Sequence, residues 1–509
     1  MLAKVLSGAV IGIDAYLVEV ETDISHGLPL FATVGLPDST VRESKERVKA
    51  AIRNSGYHFP SDRITVNLAP ADVKKEGSAF DLPIAIGILA ATGLVDISSY
   101  SKFIFLGELA LDGLLRPIKG VLPIAVKAKE LGLEGIFLPP ENAPEACVVE
   151  GIRIYPVNSM SRVIDFLSGN SEISPFSIKS AGFVEEHDPC LDFKDIRGQE
   201  NAKRAMEIAA AGGHNLIMAG PPGSGKTMLA KRLPTILPAL GFKESIQTSK
   251  VYSVLGLIPK GSGLVTRRPF RSPHHTISDA GMIGGGHNPR PGEVSMAHNG
   301  VLFLDELPEF RKNVLEVLRQ PVEDGQVTIS RANATITYPA NFMLVAAMNP
   351  CPCGFWGDPK RECTCSPIQV QRYRAKISGP LMDRIDIHLE VPSVRYKDLS
   401  STSDGVSSKE IFKRVIEARN IQSKRYKEGN IHLNAGMTSR HIKQFCNINA
   451  ESNALLEKAM EKFGFSARAH VRILKIARTI ADLEGVKDIS VQHIAEAIQY
   501  RTLDRRILR

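Results

Sequence analysis

Apolar and polar positions recur with two different periods through the first third of the chain. Short runs rich in β-branched and aromatic residues at Tyr16–Glu21, Leu30–Val34, Ile64–Leu68, Phe103–Leu106 and Gly135–Leu138 alternate with stretches of helical period at Asp38–Asn54, Asp81–Ala91 and Val121–Leu131. A period of two gives a strand with one buried face, and a period near 3.6 gives an amphipathic helix. The interleaving therefore predicts a compact α/β domain over residues 1–168. The opening MLAKVLSGAVIGIDAYLVEVETD has a short apolar stretch, but Asp14 interrupts it and no small-residue cleavage site follows. It reads as a strand pair, not an export signal. From Ser168 to Pro189 the periodicity gives way to Ser, Gly and Pro, which predicts a linker over 169–191. A second α/β pattern fills 192–393, with apolar strands at Asn215–Ala219, Val301–Leu304 and Phe342–Met348 and a hairpin over Val327–Tyr338. From about Lys409 the pattern is helical with charged faces, which gives a helical C-terminal domain over 394–509.

Composition narrows the class. At 509 residues the chain exceeds what one hydrophobic core supports and is expected to divide into about three domains, in line with the pattern. No uninterrupted apolar run approaches the ~18 residues of a membrane helix, so a soluble, cytoplasmic protein with no membrane partner is expected. Cysteines number 7, an odd count that argues against a disulfide framework. The formal charge of +8, from 63 basic and 55 acidic residues, permits a polyanionic partner without requiring one.

The chemistry concentrates in 192–393. Gly220, Pro221, Pro222, Gly223, Ser224, Gly225, Lys226 and Thr227 fit the P-loop pattern at every fixed position. They follow an apolar strand and open a helix over Thr227–Arg232, the context that phosphate binding requires. Glycines let successive backbone N–H groups turn inward around phosphate oxygens. Lys226 then reaches the β- and γ-phosphates of ATP, and the Thr227 hydroxyl is a ligand for Mg²⁺. The strand Val301–Leu304 ends in Asp305-Glu306. It delivers Asp305 to Mg²⁺ and Glu306 to the attacking water. Alone, such a pair is more often a solvated strand end; downstream of a P-loop, each motif supports the other. The third strand ends in Asn349, whose amide suits holding that water, or which is simply the turn residue before Pro350.

Four of the cysteines crowd into Cys351-Pro-Cys353 and Cys363-Thr-Cys365, with Gly354, Gly357 and Pro359 between the pairs. Four thiolates gathered by a Gly-rich loop suit a closed, structural Zn²⁺ site in a reducing compartment. The alternative is four reduced thiols in a surface loop. Basic residues follow at Lys360, Arg361, Arg372, Arg374 and Lys376, as a solvated face or a phosphate-contacting patch.

Taken together, these residues resemble the AAA+ fold and, within it, the magnesium-chelatase-like YifB/ComM family. The entry segment Asp192-Phe-Lys-Asp-Ile-Arg-Gly-Gln199 looks like that family's start, and the stretch from Arg268-Pro-Phe-Arg-Ser-Pro-His-His275 to Gly292-Glu-Val-Ser-Met-Ala-His298 matches it. So do Leu381-Met-Asp-Arg384-Ile-Asp386, Ser466-Ala-Arg468 and the helix from Leu474 to Leu483. The resemblance spans essentially the whole chain. It implies that Asn349 is sensor 1, Arg384 the arginine finger and Arg468 sensor 2. Read from its neighbours alone, Arg384 between Asp383 and Asp386 is a surface ion-pair residue. As a finger it serves the neighbouring subunit, which implies a closed homo-oligomeric ring, a hexamer, with the hairpin tip Arg331-Ala-Asn333 in its pore.

The N-terminal domain resembles the protease domain of Lon. Lys75-Glu-Gly-Ser78-Ala-Phe-Asp-Leu-Pro is similar to the segment carrying Lon's nucleophilic serine, and Gly107 to Leu122 to the segment carrying its lysine. Here Leu122 stands at the lysine position, and Lys119 lies three positions earlier. A serine without a base is an ordinary hydroxyl, so a fold kept without proteolysis is expected. The expected fold class is thus α/β: a Lon-protease-like domain, an AAA+ P-loop core with a parallel sheet, and a C-terminal helical lid. The family resemblance implies a motor on single-stranded or branched DNA that drives branch migration in recombination or natural transformation. A protein-remodelling ATPase of magnesium-chelatase type is the alternative. An ATP-dependent protease is a third reading, which Leu122 disfavours.

Overall fold

The computed structural model describes residues 1–177, 191–259, 261–286, 288–331, 334–358, 361–393, 405–427 and 431–501. These form two compact units. One comprises the described part of Met1–Val184 together with Gly241–Thr266, and the other the described parts of Glu185–Leu240 and Arg267–Arg509.

The first unit is built on a seven-stranded mixed sheet. Its strands are β1 (Leu2–Ile11), β2 (Asp14–Ser25), β3 (Leu30–Val34), β4 (Arg63–Ala69), β5 (Phe103–Phe105), β6 (Gly135–Leu138) and β7 (Arg153–Pro156), in the order β3-β4-β2-β1-β5-β6-β7. β1 pairs antiparallel with β2 over its whole length, from Leu2 opposite Asp23 to Ile11 opposite Asp14. The strand pair expected at the N-terminus is therefore there. Val18, Val20 and Thr22 are buried in alternate positions, the period-two pattern of a half-buried strand. Helix α1 (Ser39–Asn54) starts where Asp38 accepts the Val41 N–H at 2.8 Å, a side-chain N-cap. It buries Val41, Val48, Ala51 and Ile52 and turns its charges outward. Helix α2 (Asp81–Ala91) is buried at every residue, as a helix apolar on all sides must be. Helix α3 (Val121–Glu130) carries Leu122, fully buried among Ile104, Ile124 and Leu138.

One part of this unit departs from the expected division. Residues 241–266 lie between the P-loop and Asp305 in sequence, within the 192–393 region, yet they belong to the core of the N-terminal unit. The helix Phe242–Leu255 places Ile246 against the apolar cluster that holds Leu122 and Leu264. Ser253 closes the contact: its carbonyl accepts the Gly120 N–H at 3.0 Å. Gly263 lies so close to Pro144 that a Cβ would stand 2.6 Å from that residue's carbonyl oxygen. The sequence does not mark this segment as part of the N-terminal unit, because the residues it packs against lie far earlier in the chain.

The second unit holds a five-stranded, wholly parallel sheet: β8 (Leu216–Ala219), β9 (Phe270–Arg271), β10 (Val301–Leu304), β11 (Met343–Met348) and β12 (Ile387–Glu390), in the order β9-β10-β11-β8-β12. β8, β10 and β11 are buried throughout, the continuous apolar run that a strand covered on both faces needs. The expected strands recur with their ends moved by a residue. The hairpin pairs Gln326–Arg331 with Ala334–Pro339; its expected tip residues 332 and 333 lie outside the described residues. Helices Ser408–Arg425, Ala450–Phe463, Ala467–Leu483 and Val491–Gln499 make the C-terminal helical part and share one apolar core with the sheet. Among the described residues no helix is long and apolar enough to cross a membrane.

Candidate functional site

The loop between β8 and the helix Lys226–Arg232 runs against the end of the parallel sheet. Gly223 and Gly225 take φ of 74° and 88°, left-handed conformations that turn the loop's amides inward. At Gly220 a Cβ would stand 2.1 Å from the Val391 carbonyl oxygen, so only glycine lets the loop pass there. The Lys226 ammonium is buried and donates to the carbonyls of Gly220 at 2.7 Å and Pro221 at 2.9 Å, and to Asn349 Oδ1 at 3.2 Å. Burial pulls its pKa below the ordinary lysine range, while Asp305 and Glu306 hold it up. Thr227 Oγ1 donates to Asp305 Oδ2 at 2.7 Å across 78 residues of chain. Glu306 has φ of 52°, an uncommon conformation for a non-glycine residue. Its carboxylate is half exposed and faces His275 Nδ1 at 3.6 Å.

The residues expected at the nucleotide, Gly220 to Thr227 with Asp305, Glu306 and Asn349, thus converge on the ends of three adjacent strands. Phosphates need inward amides and a cation, and a divalent ion needs a hydroxyl beside a carboxylate. Both are present, so the donor set fits ATP with Mg²⁺. His275 on Glu306 was not evident from the sequence; its only signal was a place in the His274-His275 pair downstream of the P-loop.

Arg384 and Arg468 stand apart from this cluster in their contacts. Arg384 pairs with Glu323 and donates to the Pro380 carbonyl, not to the flanking Asp383 and Asp386 that the sequence put beside it. The correction has a simple cause. Asp386 turns inward to His214 at 3.2 Å and to Arg472, and Asp383 instead meets Arg468 at 3.7 Å. Arg468 sits in the first turn of Ala467–Leu483, capped by Ser466, which accepts the Ala469 N–H. Behind it runs a buried polar chain: His214 Nε2 meets Thr479 at 2.8 Å, Asn434 donates to Asp482, and Arg425 clamps Asp482 with both terminal nitrogens. Pairs of this kind are costly to break, because each leaves a buried partner unsatisfied.

Cys351, Cys353, Cys363 and Cys365 come together with all four sulfurs within 4.8 Å of one another, beyond the end of β11. Sγ–Sγ separations of 3.3, 3.4 and 3.6 Å come close to, and a little under, the ~3.8 Å edges of a tetrahedron with metal–sulfur bonds of ~2.3 Å. In the N-terminal unit the Ser78 hydroxyl donates to Glu108, Lys75 donates to the Pro70 and Val73 carbonyls, and the Lys119 stem lies against Gly256.

Comparison with known proteins covers nearly the whole chain. The family described as "Magnesium chelatase, subunit ChlI" matches residues 192–399, its C-terminal counterpart matches 405–501, and "Subunit ChlI of Mg-chelatase" matches 20–142. Competence protein ComM of Haemophilus influenzae is 45% identical over 99% of this chain and 98% of its own length. The magnesium-chelatase 38 kDa subunit of Rhodobacter capsulatus is 22% identical over 60% of this chain and 85% of its own. Lon protease 2 of Bacillus subtilis is 31% identical over 28% of this chain and 26% of its own.

Proposed function

We propose, since the chain belongs to the ComM/YifB family of magnesium-chelatase-like AAA+ ATPases, that it is a ring-forming, ATP-driven motor acting on DNA. The observation that carries the motor is the Thr227–Asp305 hydrogen bond at 2.7 Å, with Lys226, Glu306 and Asn349 gathered around it. ATP would supply the scissile phosphoanhydride, and a Mg²⁺ bound with it would draw charge from the transferring group. Gly220 to Thr227 would hold the phosphates, Thr227 and Asp305 would hold the Mg²⁺, and Lys226 would set its charge beside the transferring group. Glu306 takes the proton of the attacking water, and Asn349 orients that water. Arg468 reads the nucleotide from the lid.

Arg384 serves the neighbouring subunit of a hexameric ring. Subunits with Arg384→Ala mixed with Lys226→Ala subunits should regain activity that neither has alone; mixtures no better than their components would remove the ring from the account. The four cysteines hold one structural Zn²⁺ per chain. Elemental analysis of protein purified without added metal should find it, and a reading near zero with four titratable thiols would sink this assignment. We divide the chain into a Lon-like domain over 1–168, a linker over 169–191, the AAA+ core over 192–393, whose inserted residues 241–266 pack with the Lon-like domain, and the lid over 394–509. The Lon-like domain has no protease activity, because Leu122 stands where a lysine base is needed. The protein works in the cytoplasm.

DNA is supported as substrate by the relative named a competence protein, by the net charge of +8, and by Arg331, exposed at the end of its hairpin strand. Branch migration in recombination or transformation is the activity that fits a DNA-tracking ring. The 22% identity to a magnesium-chelatase subunit favours a second reading, protein remodelling. ATPase rates with and without single-stranded, duplex and branched DNA, beside a casein control, separate the two. Stimulation by DNA supports the motor on DNA; stimulation by protein alone supports the second reading.

A further inference from the structure

We infer that the N-terminal unit carries a cationic groove beside the open edge of its sheet that binds the sugar–phosphate backbone of single-stranded nucleic acid. The choice of occupant rests on the DNA reading above. Among the described residues β3, the last strand of the seven, pairs with β4 alone, so its other edge has no sheet partner there. Between this strand and α1 lies a cavity of about 140 Å³, lined by Lys45, Lys49 and Arg53 on one side and by Leu30, Phe31 and Pro60 on the other. The three cations stand four residues apart on one ridge of α1, a rise of roughly 6 Å per step, and Arg42 continues the row. Lys49 Nζ and Arg53 Cζ lie 6.0 and 5.9 Å from the centre of the Phe59 ring, which also lines the groove, so an aromatic face holds the two charges at its wall.

These charges are not neutralised as their neighbours are. Elsewhere in the unit Lys4, Arg47, Lys102, Arg116, Lys127 and Arg153 each face a carboxylate. Among the described residues Lys49, Arg53 and Arg42 face none within ion-pair distance. Lys45 has only Glu46 at 3.8 Å, and the groove's own acid, Asp62, stands 3.5 Å from His26. A regular row of cations, of which only Lys45 has a carboxylate within reach, fits a polymer with one negative charge per unit. The apolar wall with Phe31 gives the bases a surface to lie on. An acidic peptide added to β3 as a further strand is the competing occupant.

The test uses the full-length chain without nucleotide, labelled oligo-dT, and a poly-glutamate peptide of equal length. Lys45→Ala/Lys49→Ala/Arg53→Ala should weaken oligo-dT binding about ten-fold or more near 0.1 M salt. The slope of log affinity against log salt should fall by about 2, three phosphates at ~0.7 each for a single strand. Lys45→Arg/Lys49→Arg/Arg53→Lys should keep both, and ATPase without DNA should stay unchanged in both variants. Oligo-dT binding by the alanine variant equal to that of the unsubstituted protein would overturn the groove and leave the DNA motor standing. So would a peptide bound as tightly as DNA and lost with the same substitutions. A chain that binds no DNA at all would remove the DNA reading and this inference with it.

Discussion

Ser253 donates its hydroxyl to the buried Glu145 carboxylate at 2.6 Å, joining residues 108 apart in sequence. The same carboxylate accepts the Leu122 backbone N–H at 2.8 Å. Burial pushes the Glu145 pKa up, and these two donors hold it down. Glu145→Ala takes the acceptor from the buried Ser253 hydroxyl and leaves the Leu122 N–H only its longer bond to Ser253 Oγ at 3.4 Å, which should cost about 1–3 kcal/mol and lower the thermal midpoint of the full-length protein. A fragment of residues 1–177 lacks Ser253 and Leu264 and should not melt cooperatively, whereas one joined to residues 241–266 should. Cooperative melting of the shorter fragment would show that the inserted helix is not part of this core.

Lys226 and Glu306 should fail in different ways. Lys226→Ala removes a charge that faces the phosphates and should weaken nucleotide binding itself. Glu306→Gln keeps the binding loop and should hold ATP while turnover falls at least about a hundred-fold, the scale of a lost general base. Binding by fluorescence and hydrolysis by phosphate release read the two separately. A Glu306→Gln protein that turns over at the unsubstituted rate would remove Glu306 from the chemistry.

His214 should make the ATPase unit sensitive to acid. It is fully buried, and burial first, then Lys475 and Arg472, push its pKa from 6.5 down to about 3. The unfolded chain therefore binds a proton that the folded chain does not. Stability is full above about pH 6.5 and is lost as pH falls toward 3, by ~1.4 kcal/mol per unit. Denaturant midpoints between pH 6.5 and 5 should fall less steeply in His214→Gln than in the unsubstituted chain. Equal slopes would mean that His214 takes up its proton in the folded state.

The nucleotide site was legible because its chemistry is local. Gly220 to Thr227 lie in one turn, and the strand that ends in Asp305-Glu306 advertises itself by four apolar residues before two acids. The cysteine cluster was legible for the same reason. The ion-pair partner of Arg384 was not, because Glu323 comes from 61 residues earlier and nothing near Arg384 in sequence marks the pair. Residues 241–266 were placed with the 192–393 region, because the unit that covers their helix depends on surfaces such as Pro144 and Leu122 far away in the chain. His275 was invisible for a like reason, since its meeting with Glu306 is made by the path of the chain after β9.

The measurement that bears most directly on the central claim is movement of strands in a branched DNA junction, followed with ATP and with a non-hydrolysable analogue. The account predicts processing only with ATP, loss of it in Glu306→Gln, and a reduced DNA-stimulated rate in Arg331→Ala with basal ATPase nearly intact. Binding should be sequence-independent and should weaken steeply with salt. ATP-dependent rings that hydrolyse at one rate with every DNA, and move none, would contradict it.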